Sequence, residues 1–319
     1  MLNPNYKASA ILVLTTMLAA IGWIFSKETL QGLPPFLFIG MRFLLASLCL
    51  LPFCYAAFRR TTLKTIGFAA LVGVLLGVAM MCWIHAMSNT EALAEGAFIA
   101  SLSMLFVPVV AWVLFRQKPP RAFWLSMPVA AAGMALLSLS GGWQQSDSQI
   151  WFAACAFMLA IHFNVNSRFA QQIPILLLAC IQLFVTGLLS LTMSLTVEQI
   201  PSHVPVTIWG WFALSTLLAT SLRYVLQTVG QKQITASKAA LIMLLEPVWT
   251  ATLSVMWYGE VFTLNKALGC ALILSSLILY RMGSRPFRAV RRVSAIENAS
   301  IGFTDSSDEA LAGSKKREE

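Results

Sequence analysis

Charge is scarce in this chain of 319 residues, where Asp, Glu, Lys and Arg together make up 11%. Soluble domains carry about 25% charged residues because their surfaces must be polar, so a water-soluble globular fold is excluded. Missing too is GxxxxGK[ST], the phosphate-cradling loop of nucleotide hydrolases, and no soluble domain is present to hold a nucleotide. Neither HExxH nor GxSxG occurs, which leaves an intramembrane hydrolase without its paired catalytic groups. The six cysteines (Cys49, Cys54, Cys82, Cys155, Cys180, Cys270) lie in apolar stretches with no CxxC or CxH spacing, which argues against a zinc site or a disulfide framework. No metal, cofactor or enzymatic activity is expected. Met1 to Lys7 is too short for a signal peptide's charged start and cleavage site, so the first apolar stretch is expected to stay in place.

Present instead is apolar sequence at membrane-spanning length, 58% of residues being hydrophobic. A window of about 19 residues predicts spans at 8–26, 36–58, 66–87, 97–115 and 123–140. After a polar break, five more follow at 150–167, 175–196, 207–227, 239–258 and 264–281. The fold class expected is an all-α polytopic membrane protein of ten transmembrane helices.

Charge placement orients these spans. With the N-terminus in the cytoplasm, Lys7, Arg59, Arg60, Lys64, Arg116, Lys118, Arg121, Arg168, Lys232, Lys238 and the tail arginines fall inside, while Lys27 and Lys266 are the outside cations. The positive-inside rule is met at each inside loop. Glu28, Glu91, Glu95, Asp147, Glu198 and Glu260 all fall outside. An even number of spans with both termini in the cytoplasm follows. The net charge of +9 therefore marks topology and contact with anionic lipid, not a nucleic-acid partner. Residues 282–319 open with Arg285, Arg288, Arg291 and Arg292 and then turn polar, a disordered tail whose basic start lies on anionic inner-leaflet lipid.

Five spans on each side of the break suggest two copies of one unit, residues 1–140 and 141–281. An odd number forces the second copy to insert upside down. Ser26 then lies opposite Ser167, Lys27 opposite Arg168 and Trp23 opposite Asn164. A second register sets Ala97 against Ala240 and Leu125 against Leu268.

Certain motifs sit in order along these spans: Lys27 closing the first, Pro34-Pro35 leading into Gly40-Met41-Arg42-Phe43-Leu44-Leu45-Ala46 in the second, Leu245-Glu246-Pro247 then Gly259-Glu260 in the ninth, and Gly269 in the tenth. In this order the chain resembles the drug/metabolite transporter superfamily, in its ten-span EamA-like branch. It departs from that pattern at Ala19-Ala20, Met104 and Arg116-Gln117. The resemblance implies a secondary transporter of the inner membrane that exports amino acids or related small metabolites. Alternating access between two inverted repeats around a midplane site is implied with it. A translocase for an amphipathic or lipid-linked cargo is the alternative.

Charged groups within spans cost about 2.5–3.5 kcal/mol each on insertion scales, so each requires a reason. Arg42 lies about seven residues, roughly 10 Å, into its helix, and either binds a substrate carboxylate or is paired structurally. Glu246, before a helix-bending proline, is either a proton or amine site or the structural partner of a cation. Arg223 is placed near the inner end of its span and expected to snorkel. His162 and Asn166 share a helix face four residues apart and are expected at the cytoplasmic mouth, or else in bonds that tie the helix to its neighbours. Trp23, Asn164, Trp83, Gln182, Tyr224 and Gln227 complete the candidate lining of a substrate site.

Overall fold

A computed structural model describes residues 4–88, 93–138, 147–259 and 263–283, and these form α-helices joined by short turns. The first seven are α1 (Pro4–Thr29), α2 (Pro35–Arg59), α3 (Leu63–Ser88), α4 (Leu93–Phe115), α5 (Arg121–Ser138), α6 (Ser148–Phe169) and α7 (Ile175–Val197). The eighth span is one continuous rod of three parts: α8 (Val206–Thr216), a π-helical turn (Leu217–Leu222) and α9 (Arg223–Gln233). The ninth is broken into α10 (Ala236–Met243) and α11 (Glu246–Tyr258), and α12 (Leu264–Gly283) is the tenth. Pro247 stands at the start of α11, so the helical break falls where its missing N–H and its ring require one. Gly259 caps α11 in the left-handed conformation at φ 67°, with its N–H on the Val255 carbonyl. Glu260, Glu91, the break at 139–146 and the tail beyond 283 lie outside the described residues.

Among the described residues, six stretches are long and apolar enough to cross a membrane, including Pro35–Arg59, Ile175–Val197 and Ala236–Trp257. The exterior is apolar, and polar side chains are drawn inside among an apolar core. Phe53, Leu125 and Met256 are 74%, 72% and 77% exposed, whereas Gln182, Thr220 and Gln231 are 0% exposed. That pattern fits lipid as the solvent, because a polar side chain facing hydrocarbon has no partner. The protein is a multi-pass membrane protein.

Helix ends meet as the alternation of spans requires. The Glu198 carboxylate, just past α7, accepts the Phe36 and Leu37 amides at the start of α2 at 2.7 and 2.8 Å. Opposite, the Gln171 amide after α6 donates to the Lys232 carbonyl of α9 at 2.6 Å, and Arg168 of α6 lies 5.0 Å from the Phe115 ring of α4.

The two halves are related copies. The turn between α1 and α2 and that between α6 and α7 carry the same hydrogen bonds 140 positions apart: Gly32 and Leu33 to Thr29, then Gln172 and Ile173 to Phe169. Pro34 and Pro174 close the two turns with similar backbone angles. This register differs by one from the sequence alignment. Ser26 corresponds to Asn166, Trp23 to Phe163 and Arg42 to Gln182, because the backbone turn fixes the register where sparse identities do not.

The halves interlock most closely along α2 and α7. A Cβ on Gly187 would lie 2.5 Å from the Leu44 nitrogen and 3.0 Å from the Gly40 carbonyl, so only glycine permits this approach. In the equivalent place the Ser47 hydroxyl donates to the Cys180 carbonyl at 3.0 Å. Small residues and interhelical hydrogen bonds are what helix association in lipid uses, since apolar burial gives little gain there. Contacts of α5 with α12, of α3 with α6 and α7, of α4 with α6 and of α1 with α9 and α11 extend the interface.

Candidate functional site

Between the halves lies a cavity of about 140 Å³, bounded by α1, α2, α3 and α4 on one side and by α6, α9, α10 and α11 on the other. One water needs about 10–15 Å³ by this measure, so the space suits a small molecule. Charge concentrates on one wall. Arg223, at the start of α9, places Nη2 3.7 Å from Glu246 Oε2, and the Trp23 indole N–H donates to Glu246 Oε1 at 3.1 Å. Both ions are mostly shielded, with side chains 20% and 23% exposed. The helical break before Pro247 presents Glu246 here, at the first turn of α11, where the helix dipole also favours an anion.

The sequence expectation for Arg223 is corrected. The eighth span extends to Gln233, so Arg223 stands well inside it and lines the cavity instead of snorkelling to the membrane face. One turn further along α9, Gln227 also lines the cavity, and Tyr224 beside Arg223 takes its guanidinium 5.1 Å from the ring. Buried Arg223 Nε and Gln227 Oε1 have no hydrogen-bond partner among the described residues, a donor and an acceptor on one helix face.

An aromatic wall adjoins this pair. Trp23 and Trp83 meet edge to face with ring centroids 5.0 Å apart. Ser101 of α4 adds a small polar group to the lining.

Arg42 reaches the same cavity, with three of its five N–H donors engaged. Nε donates to Thr220 Oγ1, Nη1 to Ser26 Oγ at 2.9 Å, and Nη2 to the Ala219 carbonyl at 3.4 Å. Phe38 and Phe43 flank the guanidinium with centroids 5.4 and 6.0 Å away. His162 lines the cavity and its Nε2 is 3.1 Å from Gln182 Oε1, while buried Gln182 Nε2 has no hydrogen-bond partner among the described residues.

The cavity therefore gathers Arg42, Glu246, Trp23, His162, Trp83, Tyr224 and Gln227. Gln182 stands behind His162, outside the lining. Asn164 does not line it either, since its amide donates to the Val107 carbonyl at 2.8 Å and ties α6 to α4. Asn166 bonds Gln231 near the ends of α6 and α9, again away from the lining. Sequence reasoning missed Ser26 and Thr220, which hold Arg42; a hydroxyl within a span carries no signal without the contact. The π turn was missed as well, because apolar periodicity says nothing of hydrogen-bond register.

Comparison with known proteins agrees with this architecture. Residues 7–139 and 148–282 each match the model of the EamA-like transporter family. An uncharacterized transporter of Archaeoglobus fulgidus is 25% identical over 253 residues, which are 79% of each chain. An uncharacterized inner membrane transporter of Salmonella typhimurium, YicL, is 30% identical over 186 residues, 56% of this chain and 61% of that protein. A crystal structure superposes with TM-score 0.76 over 88% of this chain and 99% of its own, at 19% identity.

Proposed function

Because the chain belongs to the EamA-like transporter family, we propose that this membrane transporter is a secondary carrier exporting a small polar metabolite, such as an amino acid or a related compound. The repeats are taken as residues 1–140 and 141–281, with 282–319 as a cytoplasmic tail on anionic lipid. Both termini are placed in the cytoplasm, a reading the charge alternation supports, and the membrane is taken as the inner one, as the name of the Salmonella relative suggests.

The single observation that carries this reading is the shielded Arg223–Glu246 pair inside a cavity bounded by both halves. A charged pair in hydrocarbon is expensive and of weak value to stability, which points to use by cargo or coupling ion. It also favours a polar cargo over a lipid-linked one, whose tail would need an apolar lining. In this scheme rocking of the halves exposes the cavity to each face in turn. A cargo with an anionic and a cationic end competes for Arg223 and Glu246 respectively, Trp23 and Trp83 covering its apolar part. Proton exchange at Glu246 would couple the cycle to the proton gradient.

The test is counterflow in proteoliposomes, using a panel of radiolabelled amino acids and analogues with and without an imposed pH gradient. Accumulation of at least one compound above protein-free vesicles is expected. Flat traces across the panel, together with unchanged resistance of overexpressing cells to toxic amino-acid analogues, would count against the proposal.

A further inference from the structure

The eighth span changes helical register where Arg42 touches it. Leu217–Leu222 is a π turn, in which the Arg223 N–H reaches the Leu218 carbonyl five residues back. A π turn breaks the regular ladder of bonds to the fourth residue, and in hydrocarbon the polar groups so released must find other partners. Span 2 supplies one for the Ala219 carbonyl and ties down two hydroxyls of the turn. Arg42 Nη2 donates to the Ala219 carbonyl at 3.4 Å, and Nε donates to Thr220 Oγ1, whose hydroxyl in turn donates to the Ser215 carbonyl at 3.0 Å. One helical turn along α2, the Ala46 carbonyl accepts from the Ser221 hydroxyl at 3.3 Å. Span 1 presses on the same turn, since a Cβ on Gly22 would lie 2.7 Å from the Ala219 Cβ.

The π turn sets the facing of α9. Each residue of an α-helix advances by about 100°, so relaxing the one-residue excess into α register would rotate α9 by about that angle against α8. Arg223 and Gln227 would leave the cavity wall, and Arg223 would swing off Glu246. Arg42 spends three of its five guanidinium N–H donors on protein acceptors, two of them in the π turn, which fixes its orientation in this state.

We propose that Arg42 is a positioning residue: its fork of hydrogen bonds holds the π turn of span 8 and thereby aims Arg223 and Gln227 into the cavity. The consequence for transport rests on the cavity being the cargo site, but the clamp itself does not. An experiment that reads helix register therefore fails separately from one that reads transport.

Gly230 of α9 provides the reporter. A Cβ there would lie 2.5 Å from Leu12 Cγ of α1, so cysteines replacing Leu12 and Gly230 should form a disulfide. With the six native cysteines replaced by serine or alanine, Leu12→Cys with Gly230→Cys is oxidised in membranes by copper phenanthroline. Near-complete cross-linking is expected with Arg42 present, and a drop of several-fold with Arg42→Gln. Arg42→Lys should drop likewise, since an ammonium lacks the planar fork.

Deletion of Leu218 is the suppressor, because one residue fewer turns the π turn into α-helix while α8 and α9 keep their facings. It should restore cross-linking to both Arg42 variants. Unchanged cross-linking in Arg42→Gln, or a loss that the deletion does not restore, would overturn the proposal. Should the Arg42 variants fail to accumulate in the membrane, the deletion is expected to restore accumulation, and failure to do so overturns it equally.

Discussion

Glu246 is the one acid placed inside the described cavity, where it holds the Trp23 indole and the Arg223 guanidinium at once. Replacement by Gln keeps the shape and an acceptor for Trp23 but removes the charge that a proton would neutralise. Glu246→Gln is expected to reach the membrane within about two-fold of the wild-type level and to lose pH-dependent transport of whichever panel compound the wild type carries, measured as uptake against external pH. Loss of the protein from the membrane would instead assign Glu246 a structural role. An ionisable residue within an apolar run is legible in sequence because its cost is. Its partner is less so. Sequence alone sends Arg223 to the membrane face because the polar residues after it, Gln227 through Gln233, resemble the end of a span, although the helix continues to Gln233.

At the scale of elements, two contacts set how the halves approach. Gly187 of α7 lies against the α2 backbone, which cannot yield as a flexible side chain would. Gly187→Val is expected to destabilise the protein by about 1–3 kcal/mol, the usual range for overpacking, read as a lower midpoint of thermal unfolding in detergent. Glu198, by contrast, joins the same pair of helices through charge, as an N-terminal cap supplied from another span. Glu198→Ala should cost about 1 kcal/mol, the common loss for a removed cap, and Glu198→Gln less, because one acceptor oxygen remains. Helix count and the break at Pro247 were legible from apolar run length and from proline chemistry. Neither the cap nor the π turn was, since each depends on a contact between residues more than 150 positions apart.

For the whole molecule, the repeated turn at Pro34 and Pro174 shows one unit used twice, and an odd number of spans in each copy is what would insert the second the other way up. In the sequence, the alternation of Lys and Arg with Asp and Glu is the signal for topology, because topology is written in short loops. The cavity itself was legible only in part. Side chains of one helix that differ by two residues, such as His162 and Asn164, face different neighbours, and the lining emerges only when α6 is packed on α4. Two oppositely inserted halves that rock around one chamber should expose the same wall to both sides of the membrane. The most direct measurement uses Ser101→Cys, at the cavity wall, in a background without native cysteines. Its reaction with a membrane-impermeant charged thiol reagent is followed in right-side-out and in inside-out vesicles. The account predicts labelling from both sides. Labelling from one side under every condition, or from neither, would contradict it.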